Sequence, residues 1–433
     1  MESIEIKGFL TIDYAFFEIK KINILIGAQA QGKSVIAKLV YFFKKYFSDT
    51  FFQAIRKFET KRDIEKKCLK QLEQIFPRYT WAAQEFSIVY KTGDYEISLT
   101  RKKVSDKFSL KLDYCKALAD FHKELKNTYK LTRDTYLDSN RENEQITSLT
   151  SDNVFFGAIS EKIENSKFNN IFKESIFVPA GRSFFVALQQ NIFSFLVNDI
   201  DIDTHIKEFG SRYEKAKQFH LLFQTKFGQS IDHSSVAKKL DKLFADIVVG
   251  EYVYENQQDW ILNEGTKTNL VNASSGQQES LPMLLVLKIW PFINEKNQST
   301  TFFIEEPEAH LFPTSQKQII SLIATIYKAF GHSFFITTHS PYILTAINNL
   351  VVGQDAYDKA NGYKDKLKKL EKFLPFDELI RFEDVSAYTL NKGKLESIVD
   401  FENRLIGANL LDAVSDEFSA AFDVATEILY GSD

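Results

Sequence analysis

The run Gly27-Ala28-Gln29-Ala30-Gln31-Gly32-Lys33-Ser34 has the spacing G-x-x-x-x-G-K-[ST]. In such a run the glycines let backbone N–H groups turn inward around phosphate oxygens. The lysine reaches the β- and γ-phosphates, and the hydroxyl holds Mg²⁺. Gly27, Gln31, Gly32, Lys33, Ser34 and Val35 are therefore the expected nucleotide contacts, with ATP or GTP as ligand and Mg²⁺ as cofactor. Further along, "TFFIEEPEAHLFP" ends an apolar stretch in two adjacent carboxylates, Glu305 and Glu306. At a strand end both can face a nucleotide, the first supporting Mg²⁺ through water and the second polarising the attacking water. A charged strand terminus is the plain alternative. His339 closes the β-rich run in "HSFFITTHSPYIL", where an imidazole can contact the γ-phosphate or position the water. His122, His205, His220, His233 and His332 lack such company and read as structural.

A fourth group is the small-residue turn "NASSGQQES", Asn272 to Ser280, which contains Ser274, Ser275, Gly276 and Gln277. Just ahead of the apolar helix "LPMLLVLKIW", such a turn offers backbone donors and a hydroxyl to an anion. It can equally be an N-cap, with Gln278 or Glu279 completing a capping box.

These groups need particular elements to hold them. The apolar run Ile22 to Ile26 reads as a buried strand leading into the glycine loop, and Val35, Ile36, Leu39, Val40 and Phe43 give the helical spacing that must follow it. Phe302 to Ile304 and Phe334 to Thr338 read as two further strands, each ending at its candidate residue.

Taken in order, the motifs resemble the ABC-type ATPase heads of the SMC, RecF and OLD (overcoming lysogenisation defect) families: phosphate loop, long insertion, signature, carboxylate strand, histidine strand. The "EEPEAHL" and "TTHSP" segments look especially like OLD-type and related antiviral-defence ATPases. The resemblance covers residues 1 to about 350 and implies an α/β fold: a P-loop NTPase, an ABC/SMC-like ATPase head with helical insertions. It implies that Ser275 and Gly276 of the signature bind ATP held by another subunit, giving a homodimer or higher homo-oligomer through ATP-sandwiched heads. It also places Glu308 and His310 near that interface. Three departures stand out. After the strand in "SIFVPAGRSFF" no glutamine appears before Gln189; Arg182 is there instead, either a phosphate or interface contact or an exposed salt-bridging arginine. Glu305 stands where those families use aspartate. The paired acids of the OLD nuclease domain do not follow. The resemblance thus implies an ATPase controlling a separate effector protein, a nuclease or toxin, in a bacterial anti-phage defence system. The alternative is a RecF/SMC-like DNA repair ATPase that clamps DNA directly.

A net charge of −4 over 433 residues gives no general attraction to nucleic acid or membranes. Two cysteines without a partner motif indicate a reducing compartment, and no apolar run is long enough for a membrane span, so the expected location is cytoplasmic. The charged segment 44 to 79 carries Arg56, Lys57, Lys61, Arg62, Lys66, Lys67 and Lys70 among Phe51, Phe52 and Phe58; it is either a DNA-facing surface or, more simply, a solvated helix face. "EFSIVYKTGDYEISLTRKK" reads as a hairpin, "EYVYENQQDWILNEG" as a strand, "LNKGKL" as the centre of a hairpin, and "LLDAVSDEFSAAFDVATEIL" as an acidic amphipathic helix. The acids of "NDIDIDTH" (Asp199, Asp201, Asp203) suggest metal ligands but read more simply as surface residues. The expected division is an ATPase lobe with the phosphate loop, β layer and charged helical insertion over 1–175, the Arg182 strand and a helical segment over 176–265, and a second ATPase lobe with the signature, carboxylate and histidine motifs and a C-terminal helical tail over 266–433.

Overall fold

The computed structural model describes residues 1–139, 157, 159–187, 202–227, 234–293, 299–360 and 362–407. Alternating burial along β1 (Glu2–Phe9) and β2 (Ile12–Ile19) pairs them as an antiparallel hairpin, with Ile4 opposite Phe17 and Ile6 opposite Ala15. The run β3 (Ile22–Ile26) is buried at every position, as expected of a strand covered on both faces. The expected hairpin forms as β4 (Phe86–Thr92) and β5 (Tyr95–Val104), and β6 (Lys107–Tyr114) extends it. Then come β7 (Ser175–Val178), β8 (Glu251–Glu255), β9 (Gln258–Asn263), β10 (Thr266–Asn269), β11 (Thr301–Glu305), β12 (Ser333–Thr338), β13 (Val385–Asn391) and β14 (Lys394–Ser397), with the short pair β15 (Val399–Asp400) and β16 (Leu405–Ile406).

Eleven of these strands form one sheet in the order β6-β5-β4-β1-β2-β14-β13-β3-β12-β11-β7. From β6 to β2 the neighbours are antiparallel, and from β13 to β7 they are parallel. The hairpin β13–β14 joins the two regions: β13 runs parallel to β3, while β14 meets β2 through Lys394 opposite Tyr14 and through Gly393, whose carbonyl accepts from Asp13 and Tyr14.

The helices are α1 (Lys33–Tyr41), α2 (Ser48–Arg56), α3 (Lys61–Ile75), α4 (Lys116–Ser139), α5 (Thr204–Phe227), α6 (Ser235–Val248), α7 (Ser275–Ile293), α8 (Pro313–Phe330), α9 (Pro341–Lys359) and α10 (Lys364–Glu371), with a π-helical stretch Phe42–Phe47 between α1 and α2. Pleating divides the parallel strands between two cores. Leu25, Phe177, Phe303 and Phe335 face a core shared with α1, α2 and α3; Ile24, Ile176, Phe302, Ile304 and Phe334 face one shared with α6, α7, α8 and α9. Helix α7 is apolar all round, with Leu281 and Met283 to Leu287 fully buried, and so lies inside the second core.

The expected strand at 251 to 265 is a hairpin, β8–β9. Asn256 and Gln257 both take positive φ, 52° and 60°, and close a two-residue turn. The acidic C-terminal helix falls outside the described residues apart from its approach, as do Gln189, Asp199, Asp201 and His233. Asp203 is described: its carboxylate accepts from the backbone N–H of His205 at 2.8 Å. Among the described residues no helix is long and apolar enough to cross a membrane.

Candidate functional site

The parallel register places the ends of four strands side by side. Glu305 of β11 is level with Thr337 of β12, Thr338 of β12 with Ile26 of β3, and Ile304 with Val178 of β7. The segments leaving β3, β12, β11 and β7 therefore emerge along one carboxyl edge of the sheet, where open α/β sheets bind ligands. They carry the glycine loop, His339, the glutamate pair and Arg182.

The loop wraps from Gly27 to Gly32, with Ala30 at φ 60° and Gly32 at φ 102°. A Cβ on Gly32 would come within 2.8 Å of the Thr11 hydroxyl, so both its conformation and its space require glycine. Helix α1 starts there with no side-chain cap and no acidic residue in its first turn, which keeps its positive end available to an anion. Lys33 donates to the carbonyls of Gly27 and Ala28, both at 2.8 Å, and its ammonium lies 3.3 Å from His339 Nδ1. Burial lowers the lysine pKa, against the opposing pull of the Glu306 and Glu308 carboxylates. A cavity of about 430 Å³ is lined by Gln29 to Val35, Glu306, Thr337 and His339, and also by Leu10 and Thr11 from the β1–β2 turn. Leu10 and Thr11 carry no sequence signal of their own; only the strand order brings that turn to the loop.

His339 Nε2 lies 3.2 Å from a Glu306 oxygen, so the imidazole stands between Lys33 and Glu306. Glu306 has φ 45°, unusual for a non-glycine residue, and its N–H donates to the Thr337 carbonyl at 2.8 Å. Glu305 is buried. One of its oxygens accepts from Ala180 N–H at 3.3 Å, and the other is buried without a hydrogen-bond partner. A desolvated carboxylate oxygen at this edge, with the Ser34 hydroxyl in the cavity, is a hard oxygen donor set that fits Mg²⁺. Glu308 accepts from the Thr338 hydroxyl and from the His339 N–H, both at 2.7 Å, and so holds the end of β12. His310 is exposed and has φ 59°.

Arg182 departs from both of its expected alternatives. It is 0% exposed, lies outside the cavity lining, and donates to the backbone carbonyls of Pro179, Glu279, Glu305 and Glu306. A short β7 and a tight turn at Gly181, φ 71°, draw the side chain under the glutamate pair instead of into solvent. The signature turn also lies outside that cavity, with Ser274 and Ser275 exposed. Its capping box is real but is completed by Gln277. The Gln277 carbonyl oxygen accepts from Ser274 N–H at 3.1 Å and from its hydroxyl at 3.0 Å, while its amide reaches the Val248 carbonyl at 2.8 Å. A Cβ on Gly276 would sit 2.8 Å from the His310 carbonyl, so the loop after the glutamates packs directly on the signature.

A phosphate loop, a carboxylate pair and a histidine on the carboxyl edge of one sheet have the layout of a P-loop ATPase. The sequence profile of the AAA ATPase domain family matches residues 1–344. The chain belongs to that family and is an ATP-hydrolysing enzyme. Similar solved structures include the SMC head domain from Thermotoga maritima, with 10% identity over 92% of this chain and 97% of that chain and a TM-score of 0.34. Another is the Smc head domain with an extended coiled coil bound to the C-terminal domain of ScpA derived from Pyrococcus furiosus, with 14% identity over 96% and 98% and a TM-score of 0.36. A third is the recombination mediator protein RecF-ATPrS, with 10% identity over 92% and 97% and a TM-score of 0.32. No curated protein matches the chain.

Proposed function

We propose that this ATPase associates head to head around ATP and thereby controls a separate effector protein, a nuclease or toxin, in bacterial anti-phage defence. The observation that carries the association is the signature turn. Ser275 and Gly276 sit at the start of a long helix, Ser275 exposed and Gly276 half-buried, and both outside the cavity formed by the chain's own phosphate loop, so the nucleotide they serve belongs to another copy. The defence setting draws on the resemblance of the "EEPEAHL" and "TTHSP" segments to OLD-type ATPases.

In this reading Lys33 and the N–H groups from Gly27 to Val35 bind the phosphates, and Gln31 closes the loop over them. Ser34 and Glu305 would hold Mg²⁺, which when bound neutralises charge on the β- and γ-phosphate oxygens. Glu306 takes the proton of the attacking water. His339 orients Glu306 and reads the γ-phosphate from beside Lys33. Ser274 and Gln277 brace the turn that presents Ser275 and Gly276 to the partner copy.

The test is Glu306→Gln protein loaded with ATP and recovered from its native cell for mass spectrometry of the intact complex. Loss of the general base should lower kcat at least about 100-fold while ATP stays bound. Two copies of the chain with a stoichiometric second protein is the expected result; unchanged turnover overturns the role of Glu306. Bound DNA without a protein partner overturns effector control in favour of a DNA clamp.

A further inference from the structure

Arg182 links two parts of the site that are far apart in sequence. Nε donates to the Glu279 carbonyl at 2.9 Å, Nη1 to Pro179 at 3.0 Å and Glu305 at 2.8 Å, and Nη2 to Glu306 at 3.0 Å. The planar guanidinium fork thus fixes the backbone of both glutamates and the first turns of α7 in one plane of donors. The return connection comes from the Glu279 side chain. One carboxylate oxygen accepts from Arg182 N–H at 2.7 Å; the other accepts from Ser183 N–H at 3.2 Å and from its hydroxyl at 2.7 Å. Glu279 is itself buried and lies four residues after Ser275, one turn further along the same helix face.

We propose that Arg182 is a positioning residue that couples the signature helix to Glu306, so that engagement of Ser275 and Gly276 by a second copy sets the geometry of the glutamate in the first copy's own site. The proposal rests on the two-copy reading above. Its physical basis is that Ser275 and Glu279 share one helix and that Glu279 and Arg182, the two middle members of the chain Ser275–Glu279–Arg182–Glu306, are buried, so a shift of α7 passes to the strand end. Glu306 is the part that responds. Its left-handed φ of 45° is held by its N–H on Thr337 and by its carbonyl, which accepts from Arg182 at 3.0 Å and from the Ala309 N–H at 3.1 Å.

The experiment measures ATP affinity, ATP-dependent association by sedimentation, and kcat for full-length wild type, Arg182→Lys, Glu306→Gln, the double variant and Ser275→Arg. Arg182→Lys keeps the charge and loses the fork. Its kcat should fall about 10-fold or more, with ATP affinity within about 3-fold of wild type and association retained. Because it acts through Glu306, the double variant should turn over at the rate of Glu306→Gln alone, within about 2-fold. A double variant showing the product of the two losses, or an Arg182→Lys protein with unchanged kcat, overturns the proposal. If Arg182→Lys fails to fold, Ser183→Ala removes only the 2.7 Å hydroxyl contact to Glu279. A kcat loss of about 3-fold with normal ATP affinity then supports the coupling, and an unchanged kcat overturns it. Ser275→Arg separates the two readings. If it leaves association and turnover untouched, the two-copy reading fails and the link to the signature falls with it, while the Arg182–Glu306 cycle still decides whether Arg182 positions the glutamate.

Discussion

His339 contacts Lys33 on one side and Glu306 on the other, and the reason is register: β12 lies between β3 and β11, so the residue that follows it falls between the segments that follow them. At this scale local spacing told most of the story. The glycine loop is legible because its donors and its lysine are contiguous in sequence. Arg182 was not legible, because three of its four carbonyl acceptors lie 97, 123 and 124 positions away and nothing beside it in sequence signals them. Lys33→Ala should weaken ATP binding by about 100-fold, the worth of one or two charge-assisted hydrogen bonds, in a nucleotide titration; equal affinity would remove the lysine from the site. Gly32→Ala forces a Cβ to 2.8 Å from Thr11 in a backbone held at φ 102°. ATP affinity should drop with it, at a strain cost of about 1–3 kcal/mol in chemical unfolding.

Among the elements, the first turns of α7 carry two separate duties. Its apolar length was readable from "LPMLLVLKIW", and so was the cap at its start, but the partner completing that cap depends on the phase of the first turn, which put Gln277 rather than Gln278 or Glu279 at the reciprocal position. Glu279 was thereby left for Arg182 and Ser183. Ser274→Ala should cost about 1 kcal/mol of stability, as loss of an N-cap does, measured by chemical unfolding. Gly276→Ala pushes against the His310 carbonyl. It should leave ATP binding by the chain's own loop within about 2-fold while lowering ATP-dependent association in sedimentation; intact association would mean that the turn faces no partner. The basic segment 44 to 79 is less available than its composition suggested: Lys61 bonds Asp113 at 2.6 Å, Lys67 bonds Glu59 at 2.5 Å, and Phe51 is buried.

Across the whole molecule, the sheet order is what the sequence hid, because pairing between strands hundreds of residues apart leaves no local pattern. Buried histidines give the molecule a pH dependence. Burial holds the pKa of His122 and of His332 down at about 4 and that of His220 at about 3, and the Nδ1 of His332 accepts from Thr300 N–H, a bond the imidazolium cannot accept. Their folded pKa values lie below the unfolded value near 6.5, so the unfolded chain takes up protons first and stability, full above about pH 6.5, declines toward pH 4, by about 2 kcal/mol per histidine at pH 5. The thermal midpoint should therefore fall between pH 7 and pH 5; a flat profile would show that these imidazoles are not kept neutral. The hairpin β13–β14 has a consequence in time. During synthesis β2 and β3 leave the ribosome early, yet the strands that fill the gap between them are among the last described residues made, and Thr389 and Leu390 of β13 pack beside Gly27 of the phosphate loop. Until then the nascent chain carries two open strand edges and a half-walled loop. The backing of the loop at Gly27 is therefore supplied by strands made long after the loop itself, so the earliest-made element of the site is the one that waits longest for its support.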